Sequence, residues 1–172
     1  MSGDTLAIKK NRPVTALVEA TLTRPSDTTT YTAGDVVANS TSAPVVITFS
    51  NMAREAGLGG IIQGACCINN VAQTLKPDLE LYLFDQSPTI QNDNAAWAPT
   101  DAHMKYCLGM IRFAPGNFNV GSGNGIIRAE PPSLSFKCFT GVKALYGILV
   151  VRNAYIPTSA EEFFFRLHVI QD

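Results

Sequence analysis

The stretch that decides the fold is Val14-Thr-Ala-Leu-Val-Glu-Ala-Thr-Leu-Thr23. Every second residue is apolar, and the residues between are mostly polar: Val14, Ala16, Val18, Ala20 and Leu22 against Thr15, Leu17, Glu19, Thr21 and Thr23. A period of two predicts a β-strand with one face on a core, because successive side chains of a strand point to opposite sides. Turn-forming residues at 24–28 predict where it ends.

The same alternation recurs at the far end of the chain, where Phe163, Phe165, Leu167 and Val169 alternate with Phe164, Arg166, His168 and Ile170. Further strand-sized segments lie at 31–37, 45–49, 61–68, 79–84, 106–113, 134–138 and 145–151. Gly64 predicts a bulge or bend in its segment. Nine or ten short strands with turns between them predict an all-β, antiparallel β-sandwich. We favour a jelly-roll-like one, because about nine strands in one domain form two packed sheets.

The chain of 172 residues fits a single domain preceded by a short arm. Residues 1–12 have no consistent period and carry Lys9, Lys10 and Arg12, which predicts an extended N-terminal arm. Residues 13–172 form the single β-sandwich domain. We expect the arm to be dispensable for folding and to contribute to assembly.

Charge and hydropathy exclude several classes of protein. The net charge is −1 and only 16% of residues are charged, which argues against nucleic-acid binding, since that requires clustered Lys and Arg. No apolar run approaches the ~20 residues that span a bilayer, so we expect no membrane partner. The N-terminus lacks the apolar run of a signal peptide, which predicts synthesis in a cytoplasm and reduced, buried cysteines.

The residues that carry chemistry in enzymes form no recognisable pattern here. The two histidines, His103 and His168, are far from the spacing of a cupin-type metal site, which needs two histidines two residues apart and a carboxylate. Adjacent Cys66 and Cys67 are expected on opposite faces of a strand, with no base paired to either. The Gly-rich stretch 121–125 matches neither a nucleophile elbow nor a phosphate-binding loop. We therefore expect no enzyme activity, no metal and no cofactor.

The longest stretch without a period, residues 86–103, contains Trp97 and Asp101. A loop of this length in a compact domain is usually functional, and Trp is a common anchor at protein interfaces. We predict Trp97 and Asp101 as interface residues, together with Lys9, Lys10 and Arg12 of the arm. An aromatic platform beside Asp93 and Asp101 leaves carbohydrate binding open as an alternative. Asp93 and Thr100 are also expected to cap short helical turns, and one more helical turn is expected at 51–56.

Three segments carry a resemblance to small virion structural proteins of tailed bacteriophages. The longest is Leu145-Tyr-Gly-Ile-Leu-Val-Val-Arg-Asn-Ala-Tyr-Ile-Pro-Thr-Ser-Ala-Glu-Glu-Phe-Phe-Phe-Arg-Leu-His-Val-Ile-Gln-Asp172. The others are Tyr31-Thr-Ala-Gly-Asp-Val-Val37 and Leu79-Glu-Leu-Tyr-Leu-Phe-Asp85. The resemblance covers about a quarter of the chain and consists of strand-and-turn patterns.

This resemblance implies a capsid cement or decoration protein, made in the host cytoplasm and located in the virion. It would be a structural homo-oligomer, with a trimer preferred and a dimer next, that binds the major capsid protein on the outer capsid surface. Three alternatives remain open: another virion component such as a tail, fibre or head–tail connector; a carbohydrate- or receptor-binding module; and a small cupin-type enzyme.

Overall fold

The structure is a computed structural model that describes residues 12–121, 123–129 and 133–172. Its regular elements are almost all strands, with one four-residue helix, α1 (Asp101–Met104), and one 3₁₀ turn, Pro115–Asn117. The described strands are β1 Val14–Thr23, β2 Val36–Val37, β3 Ile47–Phe49, β4 Gly59–Asn69, β5 Leu79–Phe84, β6 Cys107–Phe113, β7 Phe118–Val120, β8 Gly125–Arg128, β9 Leu134–Lys137, β10 Leu145–Val151 and β11 Glu162–Gln171.

The strands form two sheets in which every pair is antiparallel. The first sheet has the order β1-β11-β4, after which β8 and β9 pair with different halves of β4 and β7 pairs with β8. In the second sheet, β2 and β3 lie beside β10, followed by β5 and β6. The chain passes back and forth between the sheets, and this strand order is that of a jelly roll. The predicted sandwich is confirmed.

Aromatic side chains fill the space between the two sheets. Phe165 of β11 lies edge-on to Phe49 of β3, with ring centroids 6.3 Å apart, and is tilted against Phe113 of β6 at 5.9 Å. All three are fully buried. Burial of one such side chain contributes about 1.5–3 kcal/mol, so the residues that alternate inward on β1 and β11 supply much of the stability of the fold.

The predicted irregularity at Gly64 is a β-bulge. His168 of β11 pairs with Gly64, but the next residue, Val169, pairs with Ile62, so Gln63 is an extra residue in β4. Another glycine of this strand, Gly60, lies very close to the backbone of β11. A Cβ at this position would be only 2.2 Å from the carbonyl oxygen of Ile170. The bulge lets β4 bend, and Gly60 lets β11 approach it closely.

Several expected elements differ from the structure. Residues 51–56 form an irregular turn instead of a helical one, because their backbone is engaged elsewhere: Gln171 Nε2 donates to the carbonyls of Asn51 and Met52, and the Met52 N–H donates to Lys143 O. The expected strand at 31–37 is reduced to Val36–Val37. Conversely, β7 lies in the Gly- and Asn-rich stretch 115–125, which is not among the strand-sized segments of the sequence. Residues 1–11 of the predicted arm lie outside the described residues.

Candidate functional site

The outer face of the second sheet is covered by residues 86–103. A separate apolar cluster forms beneath this loop, with a buried centre of Val36, Ala38, Phe84, Ile148 and Val150. The loop is attached to residues 34–40 by backbone hydrogen bonds, including Trp97 N–H to Gly34 O at 2.9 Å and Val36 N–H to Ala95 O at 2.8 Å. The long loop therefore works as a structural cover over this sheet.

Trp97 is part of that cover. Its ring packs on Tyr82 of β5 with the centroids 4.0 Å apart, and the residue is half-buried. The indole Nε1 is buried and has no hydrogen-bond partner among the described residues. The interface role of Trp97 stays a prediction, and the structure adds a packing role for its ring.

Asp93 holds the loop in place from inside. Its carboxylate accepts hydrogen bonds from Tyr31 Oη at 2.5 Å, Arg24 Nη2 at 2.9 Å and Ala38 N at 2.8 Å. Arg24 Nε also donates to the Tyr31 oxygen. Burial disfavours the charged form of Arg24, but Tyr31 and Asp93 outweigh it, so the pKa of Arg24 lies above its ordinary value. The expectation that Asp93 caps a helical turn is wrong, because its side chain is buried in this network.

Paired charges lie on the rest of the outer face of the second sheet, beside Met110 of β6, which is 44% exposed. Arg152 Nε donates to Glu80 Oε2 at 2.6 Å, and its Nη2 donates to Tyr82 Oη at 2.6 Å. Arg112 binds Asp78 through two hydrogen bonds of 2.9 and 2.6 Å. Charged groups satisfied in this way gain little from a further partner. The second sheet thus carries its own covering.

The outer face of the first sheet has no loop packed over it among the described residues. We give the name open face to the following outward side chains of this sheet: Leu17 and Glu19 of β1, Phe164, Arg166, His168 and Ile170 of β11, Ile61, Cys66 and Ile68 of β4, and Ile126 and Arg128 of β8. Polar side chains that also point outward, Thr15, Thr21 and Thr23 of β1, Glu162 of β11 and Lys137 of β9, surround this set. Three of its aliphatic side chains are more than a third exposed, with Leu17 at 56%, Ile61 at 42% and Ile126 at 36%. No described segment of the chain forms an apolar cluster over them.

The open face is organised in rows across the strands. One apolar row joins Phe164, Ile68 and Ile126, and another joins Ile170 and Ile61. The row between them is polar and runs Glu19–Arg166–Cys66–Arg128. Arg166 Nε donates to Glu19 Oε1 at 2.7 Å. The side chain of Arg128 forms no hydrogen bond or ion pair with any described residue, while its backbone pairs with Cys66 of β4.

A depression of about 560 Å³ opens in the middle of this face, and we call it the notch. It exists because β8 pairs with β4 from Cys66 onward and β9 pairs only as far as Ile62, so the bulge lies between them. Its lining includes Gly64, Cys66, Arg128, Arg166 and His168, and none of the lining residues has a carboxylate.

The remaining predicted interface residues lie apart from the open face. Asp101 is exposed in the first turn of α1. Thr100 is the N-cap of this helix, as expected, because its hydroxyl accepts a hydrogen bond from the His103 N–H at 3.3 Å. Arg12 is exposed, and its carbonyl accepts from Arg54 Nη1 at 2.8 Å. Lys9 and Lys10 lie outside the described residues. As interface residues, all of these stay predictions.

The cysteines lie as the alternation predicts. Cys66 faces outward and Cys67 lies in the core, and all four cysteines of the chain are free thiols. Burial raises the pKa of Cys67 and Cys107, and burial together with the charge of Asp85 raises that of Cys138 to about 11. These three groups therefore remain protonated and weakly nucleophilic at neutral pH.

Among the described residues, no three His, Cys, Asp or Glu side chains lie close enough together to hold a metal ion. No helix in this part of the chain has the length and apolar character to span a bilayer. His168 is exposed on β11 and borders the notch.

The open face was missed as a site by the sequence reasoning, although its signal is present. Leu17, Phe164 and Ile170 occupy the outward positions of β1 and β11, where a solvent-facing strand normally carries polar residues. Apolar side chains on the wrong face of two paired strands mark a surface that is available to a partner.

Comparisons with known proteins complete the description. No protein-family model matches the chain, and no curated protein matches it. Among solved structures, the chain is similar to one from a structure described as the cyanophage Pam1 capsid asymmetric unit, with 12% sequence identity and a TM-score of 0.40. The alignment covers 93% of this chain and 86% of that one. The fold assignment rests on the strand order given above.

Proposed function

We propose that this protein is a non-enzymatic structural protein of a tailed-bacteriophage virion. In this role it binds the outer surface of the capsid as a cement or decoration protein and stabilises the shell. The observation that carries the docking role is the contrast between the two sheets. One outer face carries its own loop and paired charges, and the other exposes apolar rows and Arg128, whose side chain has no partner among the described residues.

The composition of the open face suits a protein partner. The buried centres of protein interfaces are rich in aromatic residues and Arg and poor in Lys and Glu. The rows of this face combine Phe164, four isoleucines and two arginines, with Glu19 as their one acid. Burying the exposed parts of Leu17, Ile61 and Ile126 against a partner would contribute about 25 cal/mol for each Å² of apolar surface.

The resemblance of the C-terminal segment and two internal segments to phage virion proteins supplies the identity of the partner in this proposal, the major capsid protein. We propose that the protein acts as a homo-oligomer, a trimer first and a dimer next. Many identical contacts on a symmetric lattice reinforce one another, so each copy can bind modestly and still stay attached.

The proposal is tested by co-sedimentation with capsids assembled without this protein. Wild-type protein is expected to pellet with them and to saturate at a fixed number of copies per capsid. The Ile61→Asp variant places a charge in the open face and is expected to bind at least about tenfold more weakly, since an unpaired buried charge is costly at an interface.

Met110→Asp provides the matched control. Met110 is 44% exposed on the second sheet, so this variant makes the same chemical change on the covered side. It is expected to bind as the wild type does. Loss of binding in both variants, or in neither, would remove the open face as the docking surface. Failure of the wild type to bind would overturn the capsid role.

A further inference from the structure

The notch is the part of the open face with the most defined chemistry. Arg166 and Arg128 are the register partners of Cys66 on either side, so the two arginines lie two strands apart, roughly 10 Å. His168 and Gly64 form the next pair along the strands. Two guanidinium groups thus border a space of about 560 Å³, and among the described residues none that lines this space carries a counter-charge.

The two arginines differ in what they have available. Arg166 is bound to Glu19, which lies on its far side from the notch and uses only part of its guanidinium. The side chain of Arg128 has no hydrogen bond or ion pair with a described residue and is exposed. An arginine has five N–H donors, so the pair offers several unused donors toward the notch.

The floor of the notch leaves room for a ligand. Gly64 has no side chain, and a Cβ there would meet only the His168 side chain, at 3.9 Å. A planar group that accepts hydrogen bonds and carries negative charge matches this lining, and arginine binds carboxylates through two parallel hydrogen bonds. The apolar rows on both sides of the notch require that the acid be carried on a polypeptide that also covers Ile61 and Ile126.

We propose that the notch receives an Asp or Glu side chain from an acidic segment of the capsid protein, held between Arg128 and Arg166. This inference deepens the proposed function and rests on it. The carboxylate fixes the position of the docked molecule, and the apolar rows supply contact area around it. A charge-assisted pair of this kind is worth roughly tenfold in affinity or more.

The site itself is tested without capsids, by NMR titration of the labelled protein with a hexaglutamate peptide. The amide signals of Cys66, Arg128, Arg166 and His168 are expected to shift. Arg128→Gln should lower the affinity for the peptide about tenfold. Gly64→Leu fills the notch without changing the charge and should lower the affinity by a similar factor. Lys105→Gln removes the same charge from an exposed site next to α1 and is expected to leave binding unchanged.

Three results would overturn the carboxylate site. The first is equal binding of hexaglutamate by the wild type and Arg128→Gln. The second is equal weakening by Lys105→Gln, which would indicate net charge alone. The third is competition by inorganic phosphate at concentrations equal to those of the peptide's carboxylates, which would assign the notch to a small anion. The side chain of Arg128 has no partner in the described fold, so its variant remains informative even where Gly64→Leu fails to fold.

Capsid binding then separates the two proposals. Arg128→Gln should bind capsids about tenfold more weakly than the wild type, in parallel with its loss of peptide binding. Should it bind capsids as tightly as the wild type, the acidic-segment inference fails and the capsid role stands. Should the wild type bind hexaglutamate and no capsid, the carboxylate site stands and the capsid role fails.

Discussion

Asp93 shows how one side chain can attach a long loop to a sandwich. It is 6% exposed and is bound by Arg24, Tyr31 and the Ala38 N–H. Arg24 is 2% exposed, and of its two carboxylate partners Asp93, at 2.9 Å, is the closer and the more deeply buried, while Asp27 lies 3.3 Å away. The loop over the second sheet stays closed because this network and the apolar cluster beneath it act together.

Replacing Asp93 tests this network. Asp93→Ala removes the buried partner of Arg24 and leaves the partly exposed Asp27 carboxylate, 3.3 Å away, as its counter-charge, which should lower the free energy of unfolding by about 3 kcal/mol. The melting temperature should fall by about 10 °C. Asp101→Ala makes the same change at an exposed position and should cost less than about 1 kcal/mol. Urea denaturation measures both, and equal losses would show that the Asp93 network contributes nothing special.

Asp85 provides a prediction about pH. Burial raises its pKa, and its Oδ1 atom is buried without a hydrogen-bond partner among the described residues. A carboxyl group with a raised folded-state pKa binds more protons folded than unfolded, so its contribution to stability falls as pH rises through the range between the two pKa values. Above the folded-state pKa, the free energy that ionised Asp85 costs the folded protein no longer changes with pH.

Asp85→Asn removes this titration. Relative to the wild type, the variant should gain stability as pH rises from about 4, the unfolded pKa of Asp, and the gain should level off above the folded pKa. Urea midpoints of both proteins across this pH range measure the difference. A difference that stays constant with pH would contradict the raised pKa.

At the scale of the element, two of the three glycines of β4 have different roles. Gly60 allows close approach of β11, since a Cβ there would lie 2.2 Å from a backbone oxygen. Gly64 lies in the bulge, where a Cβ would meet nothing closer than 3.9 Å. Gly60→Ala should therefore lower the free energy of unfolding by about 1–3 kcal/mol or more, because backbone must move.

Gly64→Ala is the matched control in the same strand. It should change stability by less than about 1 kcal/mol, since it adds a methyl group in open space. Thermal or urea denaturation of the two variants gives the comparison. Equal destabilisation would mean that both glycines serve the conformation of the strand, with no distinct close approach at Gly60.

The elements differ in how far the sequence predicts them. Strands β1 and β11 follow from period two, because β11 has one face on the core along its whole length and β1 is paired with it and buries Val18 and Leu22 on the same side. The short strand β7 lies in a Gly- and Asn-rich stretch, where composition favours a loop and only its pairing with β8 makes it a strand. Asp93 was read as a loop acid, since its burial depends on Arg24 and Tyr31, which are distant in sequence.

The candidate site was predictable only in part, for a similar reason. Outward Leu17, Phe164 and Ile170 are visible in the alternation of two strands. The notch depends on three further strands, because β8 and β9 must pair with opposite halves of β4 to leave the bulge open between them. Tertiary contacts set the register between strands that are distant in sequence, and the alternation of apolar residues within one strand does not reveal that register.

For the whole molecule, the two outer faces of the sandwich differ in what they carry. The covered face holds the chain's own loop and paired charges, and the open face, to which we assign docking in our proposal, exposes apolar rows and Arg128. A protein that binds only the assembled shell stabilises it by linkage, by about 2.7 kcal/mol per site at a hundredfold excess over Kd. Spread over a capsid, this is a large effect.

The central claim is tested most directly by melting capsids assembled without the protein, with and without the purified protein added back. The account predicts that wild-type protein raises the melting temperature of the capsids by several degrees, and that Ile61→Asp at the same concentration does not. Capsids that melt at the same temperature with and without saturating wild-type protein would contradict it.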